Sequence, residues 1–153
     1  MCSRCEIMAL QCFAEGKCMN ILVIDAQGGG MGKQLITSIR QHVEGAYIMA
    51  VGTNAAATMA MNKAGADVSA TGENSVVVAC RKADIIVGPV GIVIADAMLG
   101  EVTPRMATAV GQSQAKLILI PFNHCDHVIV GVPDLTMGRL IDAAVREIQA
   151  SAV

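Results

Sequence analysis

The sequence is almost without aromatic side chains: no tryptophan, one tyrosine (Tyr47) and two phenylalanines (Phe13, Phe122) in 153 residues. It also lacks an excess of either charge, with 11 lysines and arginines against 13 aspartates and glutamates. Nucleic-acid recognition draws on a basic surface and on rings that stack with bases, so no nucleic-acid partner is expected. A long apolar run is missing too. The longest uncharged one, Ile85 to Ala95, is broken by Gly88, Pro89 and Gly91. It falls short of the roughly 18–20 residues a membrane span needs, so no membrane partner is expected. No secretory signal is evident, because Ile7 to Ala14 is short and Glu6, Gln11 and Glu15 interrupt or flank it. A cytoplasmic location follows as the expectation, and the six cysteines read as reduced thiols rather than a disulfide framework.

What is present is apolar. Hydrophobic residues make up 54% of the chain, and mean hydropathy is +0.54. Without a membrane span, that composition fits parallel strands buried on both faces. Ten methionines fill a core otherwise built of small side chains. The length suits one domain.

The order of elements supports the same reading. Apolar spacing predicts strands at Asn20–Ala26, Ala46–Gly52, Ala66–Ala70, Asp84–Gly88 and Lys116–Pro121. A further edge strand is expected over His127–Val132. Helices are expected over Gly30–Val43, Ala55–Ala64, Thr71 to about Lys82, Ile92–Leu99 and Thr103–Gly111, with a last one capped by Asp134. Strands alternating with helices predict a three-layer Rossmann-like α/β fold: a mostly parallel sheet with helices on both faces. Every strand's carboxyl end then lies on one edge.

The stretch Asn20 to Lys33 carries the functional signal. Apolar Ile21–Ile24 lead into Asp25, Ala26 and Gln27, then Gly28, Gly29, Gly30, Met31, Gly32 and Lys33. A buried strand, a glycine loop and a helix make a ready anion site, because the first helical N–H groups point outward. The loop matches neither common phosphate fingerprint. Gly28 and Gly30 fit the first two glycines of G-x-G-x-x-G, but Lys33 stands at the third. Gly32-Lys33 fits the core of the P-loop, but Gln27 and Gln34 stand at its ends. The expected ligand is a nucleotide, dinucleotide or other phosphorylated small molecule. Gln27 to Gly32 would supply backbone N–H groups, Lys33 a countercharge, and Thr53 and Asn54 polar contacts. A nucleotide-responsive sensor or regulatory subunit without catalysis is the alternative. Glu73, the Asn123–His124–Cys125 cluster and the Gly88–Gly91 turn are further candidates at the strand ends.

Residues 1–18 differ from the rest, with cysteines at 2, 5, 12 and 18. Four thiolates can hold a zinc, but this spacing is read as a cysteine-rich extension outside the fold rather than a metal site. Residues 19–153 would form the single domain, with Met19 a natural start.

The blocks D-A-Q-G-G-G-M-G-K, G-T-N-A-A-A-T-M-A-M-N-K-A-G-A-D, A-T-G-E-N-S and G-P-V-G-I-V-I-A-D-A-M-L-G-E-V-T-P occur in this order. In them the chain resembles a family of small bacterial proteins known as a domain of unknown function (family 3842), from Met19 to the C-terminus. The resemblance implies a Rossmann-like fold and a bacterial source, and carries over no activity or catalytic residue. A homodimer could complete the site, and apolar Ile92–Leu99 is the expected interface.

Overall fold

The computed structural model describes residues 18–121, 129–133 and 135–151. β1 (Met19–Asp25) lies at the centre of a sheet. Ile21 to Ile24 are no more than 2% exposed, so no polar face interrupts the apolar run. β2 (Ala46–Gly52) pairs with β1 in parallel from Met19↔Ala46 to Asp25↔Gly52. β4 (Ile85–Pro89) pairs with it on the other side. β3 (Val68–Thr71) lies outside β2, and β5 (Lys116–Ile120) outside β4. The order is β3-β2-β1-β4-β5, and every pairing is parallel.

Two cores cover the two faces, because side chains alternate along a strand. Ile21 and Val23 pack with Leu35, Ile36 and Ile39 of α1 (Gly30–His42), with Met61 of α2 (Ala55–Lys63) and with Val145 and Ile148 of α5 (Met137–Ala150). Leu22 and Ile24 pack instead with Val76 and Cys80 of α3 (Glu73–Cys80) and with Met106 and Val110 of α4 (Pro104–Gly111). Helices α1 and α2 carry the chain outward on one face, and α3 brings it back on the other. The strand order therefore reverses at β1 and β4, the place where open α/β sheets leave a crevice at their carboxyl ends.

The expected caps form where the side chain can reach. Asn54 accepts from the N–H of Ala57 to start α2. Thr103 accepts from Met106, and Pro104 takes the first helical position of α4, where its missing N–H costs nothing. Asp84 accepts from the N–H of Asn20 at 2.8 Å, tying the start of β4 to that of β1.

Four expectations change. Ile92–Leu99 is not an α-helix: a 3-10 turn covers Val90–Val93 and turns follow. Asp96, Met98 and Leu99 have φ of 61°, 57° and 60°, left-handed values that end a right-handed helix. The N–H of Asp96 bonds to the carbonyl of Val102, folding the segment onto itself. Ile92 and Ala97 go into the core, while Leu99 stays 99% exposed. Secondly, α5 begins at Met137 behind Thr136, not behind Asp134, which lies outside the described residues. Thirdly, residues 129–132 of the expected edge strand are turn and coil, and 127–128 lie outside the description. Lastly, Cys18 is disulfide-bonded rather than a free thiol; cysteine spacing addresses metal ligation and leaves pairing open. The rest of the cysteine-rich segment, residues 1–17, lies outside the described residues. Among these, no helix is long and apolar enough to cross a membrane.

Candidate functional site

At Asp25, β1 hands the chain to a turn closed by the N–H of Gly29 on the carbonyl of Ala26 at 3.0 Å. The four glycines that follow divide into two kinds. A Cβ on Gly29 would lie 2.6 Å from the Ala57 Cα, and its φ is +68°. A Cβ on Gly32 would lie 2.5 Å from the Met61 Sδ and 2.9 Å from the Asp25 Cβ. Those two glycines let α1 and the loop approach α2 and β1. Gly28 and Gly30 would meet nothing within 4 Å, and neither has a positive φ. Packing and backbone conformation give no reason for glycine at either position.

Asp25 is the one buried charged side chain among the described residues. Its carboxylate accepts from the N–H of Ala26 at 2.8 Å and of Gly32 at 2.6 Å. Burial pushes its carboxyl above the ordinary value, against the pull of the Gly32 and Ala26 hydrogen bonds; the nearby charge of Glu101 pushes the same way as burial. The first-turn N–H of Gly32 is thus taken by the chain's own acid. The N–H groups of Gly28 and Gly30 have no acceptor among the described residues.

A second acid organises the other side of the loop. Glu101 Oε2 accepts from the N–H of Gln27 at 2.9 Å, from Thr53 Oγ1 at 2.5 Å and from Asn54 Nδ2 at 2.8 Å. Partial burial works to raise the Glu101 carboxyl, but the hydrogen bonds from Thr53, Gln27 and Asn54 outweigh it and hold the group below its ordinary value. Asn54 also donates to the carbonyl of Gln27 at 3.0 Å. Three of the residues expected to hold a ligand are therefore brought together, but around Glu101. Nothing local marks this acid: it follows Gly100 and precedes the Val102-Thr103-Pro104 helix start, and its partners lie 47 to 74 residues away. Glu101→Ala is expected to cost about 1–2 kcal/mol, since the three donors are part-exposed and water replaces much of the lost bonding. Hydrogen exchange at Gln27, measured on both proteins, should accelerate in the variant; an unchanged rate would mean the tie does not hold the loop.

Between the glycine loop and the Pro89–Leu99 segment lies a cleft of about 610 Å³, outside the carboxyl ends of β1 and β4. Gly28, Gly30 and Met31 form one wall; Pro89, Gly91 and Met98 form the other. Leu99 stands at its mouth, 99% exposed. Among the described residues, Asp25 and Asp96 are the titratable groups of its lining, which includes no lysine or arginine. Lys33 is exposed on α1 and is not among the lining residues, and Gly32 is buried beneath. Thr53 and Asn54 sit behind the loop with Glu101 rather than in the lining. The Gly88–Gly91 turn divides in the same way. Gly91 lines the cleft, whereas a Cβ on Gly88 would lie 2.4 Å from the Ile24 carbonyl oxygen, so that glycine serves the sheet.

Glu73 lies elsewhere. Glu73 accepts from Thr103 Oγ1 at 2.7 Å and pairs with Arg105 at 3.1 Å, joining the starts of α3 and α4. The Thr103 hydroxyl, helped by Arg105, holds its carboxyl below the ordinary value. Cys80 is buried, and desolvation pushes its thiol up to about 11, which suits a core residue rather than a nucleophile. Asn123, His124 and Cys125 lie outside the described residues. Among the described residues no group of three or more histidines, cysteines or acids is placed to hold a metal.

The chain belongs to the family described as Domain of unknown function (DUF3842), whose model matches residues 20–153. No curated protein sequence matches it. Among solved structures it is similar to a dodecameric FMN-dependent UbiX-like decarboxylase from Escherichia coli O157:H7. The two are 19% identical, with 86% of this chain and 76% of that chain covered and a TM-score of 0.44. A likeness that distant says nothing of ligand or chemistry.

Proposed function

We propose that this domain binds a phosphorylated small molecule of mononucleotide size in the cleft between the glycine loop and Pro89–Leu99. The carrying observation is that Gly28 and Gly30 face open space with ordinary φ values and have N–H groups with no acceptor among the described residues. A glycine costs roughly 0.5–1 kcal/mol in a helix relative to alanine. Close approach of a ligand to the backbone gives that cost a purpose. The cleft volume of about 610 Å³ lies within the usual range for small-molecule sites. The crevice position is the one that open parallel sheets use.

The charges narrow the class. With Asp25 and Asp96 in the lining and no cation beside them among the described residues, a triphosphate would meet net repulsion. One phosphate or carboxylate group on the N–H groups of Gly28 and Gly30 is compatible. Met31, Met98, Leu99 and Met137 offer an apolar surface for the rest of the ligand. Among the described residues the lining supplies no cysteine, histidine or lysine. A sensor and an enzyme whose chemistry resides in a bound cofactor both fit it.

Calorimetric titration with AMP, FMN, NAD and inorganic phosphate tests the reading. At least one should bind, and Gly30→Ala should weaken that binding about tenfold while leaving the free protein slightly more stable. Binding unaltered by both Gly28→Ala and Gly30→Ala would remove the glycine loop from the site. A pH dependence follows from Asp25. An anion beside it favours its protonated form, so affinity should rise as the pH falls through the raised value of Asp25. Asp25→Asn should flatten that profile relative to the native protein, and an identical profile would rule out the coupling. Turnover with a cofactor that binds would separate enzyme from sensor.

A further inference from the structure

Leu99 combines two unfavourable features. Its side chain is almost wholly exposed at the mouth of the cleft. Its φ is 60°, and Met98 before it and Gly100 after it have φ of 57° and 83°. Three residues in a row are left-handed, and two of them carry a Cβ that this conformation crowds. Glycine or asparagine would suit position 99 with less strain. An aliphatic side chain facing water gives nothing in return.

The surrounding chain holds the turn in this state. Its neck is closed by the N–H of Asp96 on the carbonyl of Val102 at 2.8 Å, and by the N–H of Val102 on the carbonyl of Ala97 at 3.2 Å. Ala97 and Val102 are both buried, so the neck is anchored in the core. Inside the turn, the N–H of Gly100 bonds to the carbonyl of Asp96 at 3.1 Å. Just past it, Glu101 is tied to Gln27, Thr53 and Asn54. Gln27 opens the glycine loop, so this acid fixes the turn relative to that loop. Met98 lies against Gly91, where a Cβ would come within 2.7 Å of the Met98 Cε. Met98 therefore belongs to the cleft wall, and Leu99 is the open apolar tip. Strained backbone that its neighbours hold in place clusters at ligand clamps.

Resting on the reading of the cleft as a ligand site, we propose that Leu99 is its specificity-determining contact: a preorganised apolar tip that covers a planar ring of the ligand while the anion lies on the N–H groups of Gly28 and Gly30. Met31, Met98 and Met137 line the same cleft, and methionine sulfur makes favourable contacts with aromatic rings. The ligand class narrows accordingly to phosphate esters that carry a nucleobase or another planar heterocycle. Sugar phosphates and free phosphate, which offer the tip no apolar face, fall outside it. A tip already held in place loses little freedom when the ligand arrives. Covering it with the ring removes apolar surface from water on both sides, which is the return for its strain in the free protein.

Calorimetric titration of the full chain with AMP, FMN, ribose 5-phosphate and inorganic phosphate tests the proposal. AMP or FMN should bind at least about tenfold more tightly than either probe without a planar ring. Leu99→Gly and Leu99→Asn keep the left-handed backbone and remove the apolar tip. Each should weaken the ring-bearing ligand about tenfold and leave inorganic phosphate within about twofold. Leu99→Met, which restores an apolar tip, should retain most of the affinity. Leu99→Asn should also raise the Tm of the free protein by about 2–4 °C, because asparagine tolerates the left-handed region. A fall in Tm would mean that Leu99 is packed in the free protein, and would overturn the proposal. Equal affinities for probes with and without a planar ring, or variants that bind as the native chain does, would overturn it and leave the cleft reading standing. No binding by any of the four probes would remove both. Sedimentation of the native chain and Leu99→Gly adds one more outcome: a dimer lost in the variant with ligand affinity unchanged would place a second copy on the tip and overturn its role toward ligand.

Discussion

Gly29→Ala should lower the stability of the domain by about 3 kcal/mol, whereas Gly28→Ala, one residue earlier, should change it by less than about 0.5 kcal/mol. Two costs add at Gly29. Its φ of +68° lies in the left-handed region, where a Cβ crowds the backbone, at about 1–2 kcal/mol. The same Cβ would lie 2.6 Å from the Ala57 Cα and 2.9 Å from the Ala57 carbonyl oxygen. These are backbone atoms of α2, and no rotamer change relieves them. Overpacking of this kind costs typically about 1–3 kcal/mol. For a chain of this length the sum corresponds to a fall in Tm of about 6–12 °C. Denaturant unfolding of both variants reads the contrast directly, with an unchanged slope showing that the folded state is otherwise the same. Equal losses at 28 and 29 would mean that the loop is not held against α2 as described. The result also bears on the ligand. If Gly28→Ala spares the fold and still abolishes binding, that glycine is kept for the ligand alone.

This division of the glycines shows what the sequence could and could not disclose. That a loop followed β1 was legible, because Ile21–Ile24 is an unbroken apolar run and Gly28 to Gly32 cannot continue it. The sheet was legible for the same local reasons, since alternating apolar segments leave few other ways to bury both faces. Which glycines serve packing was not legible. The neighbours that demand them, Ala57 and Met61, lie on the next helix in the chain. Glu101 was hidden by distance as well. Its partners Gln27, Thr53 and Asn54 are brought to it only by the assembled sheet, and no spacing rule connects them. The Ile92–Leu99 segment misled for a different reason. Its composition fits a short apolar helix, but Asp96, Met98 and Leu99 adopt left-handed values that side-chain pattern does not encode. Its end is fixed by the Glu101 tie and the start of α4, both non-local. The cleft wall therefore emerged only from the structure.

Asp25→Ala should cost about 2–3 kcal/mol at neutral pH, because it leaves the N–H groups of Ala26 and Gly32 buried at the loop without an acceptor. Their bonds to Asp25, at 2.8 and 2.6 Å, are what hold α1 in line with β1. Asp25→Asn keeps the shape and one acceptor, and it isolates the charge. Burial raises the Asp25 carboxyl above its ordinary 3.8 in spite of these bonds. The folded chain therefore holds this proton more tightly than the unfolded chain does. Stability linked to Asp25 is greatest below the ordinary value, declines as the pH rises toward the raised native one, and is level above it. The native protein should accordingly gain on Asp25→Asn as the pH falls from the raised native value toward the ordinary 3.8, measured as the difference between their unfolding free energies. Glu101 acts in the opposite sense: its lowered carboxyl stabilises the fold above its ordinary value and loses that contribution as the pH falls. Because the Glu101 charge also helps to raise Asp25, Glu101→Gln should shrink the Asp25-dependent gain, which a double-mutant cycle across pH would measure. A gain that ran the other way, toward alkaline pH, would mean that the hydrogen bonds outweigh burial at Asp25. In that case the acid would serve as a permanent anion, occupying the loop against any phosphate.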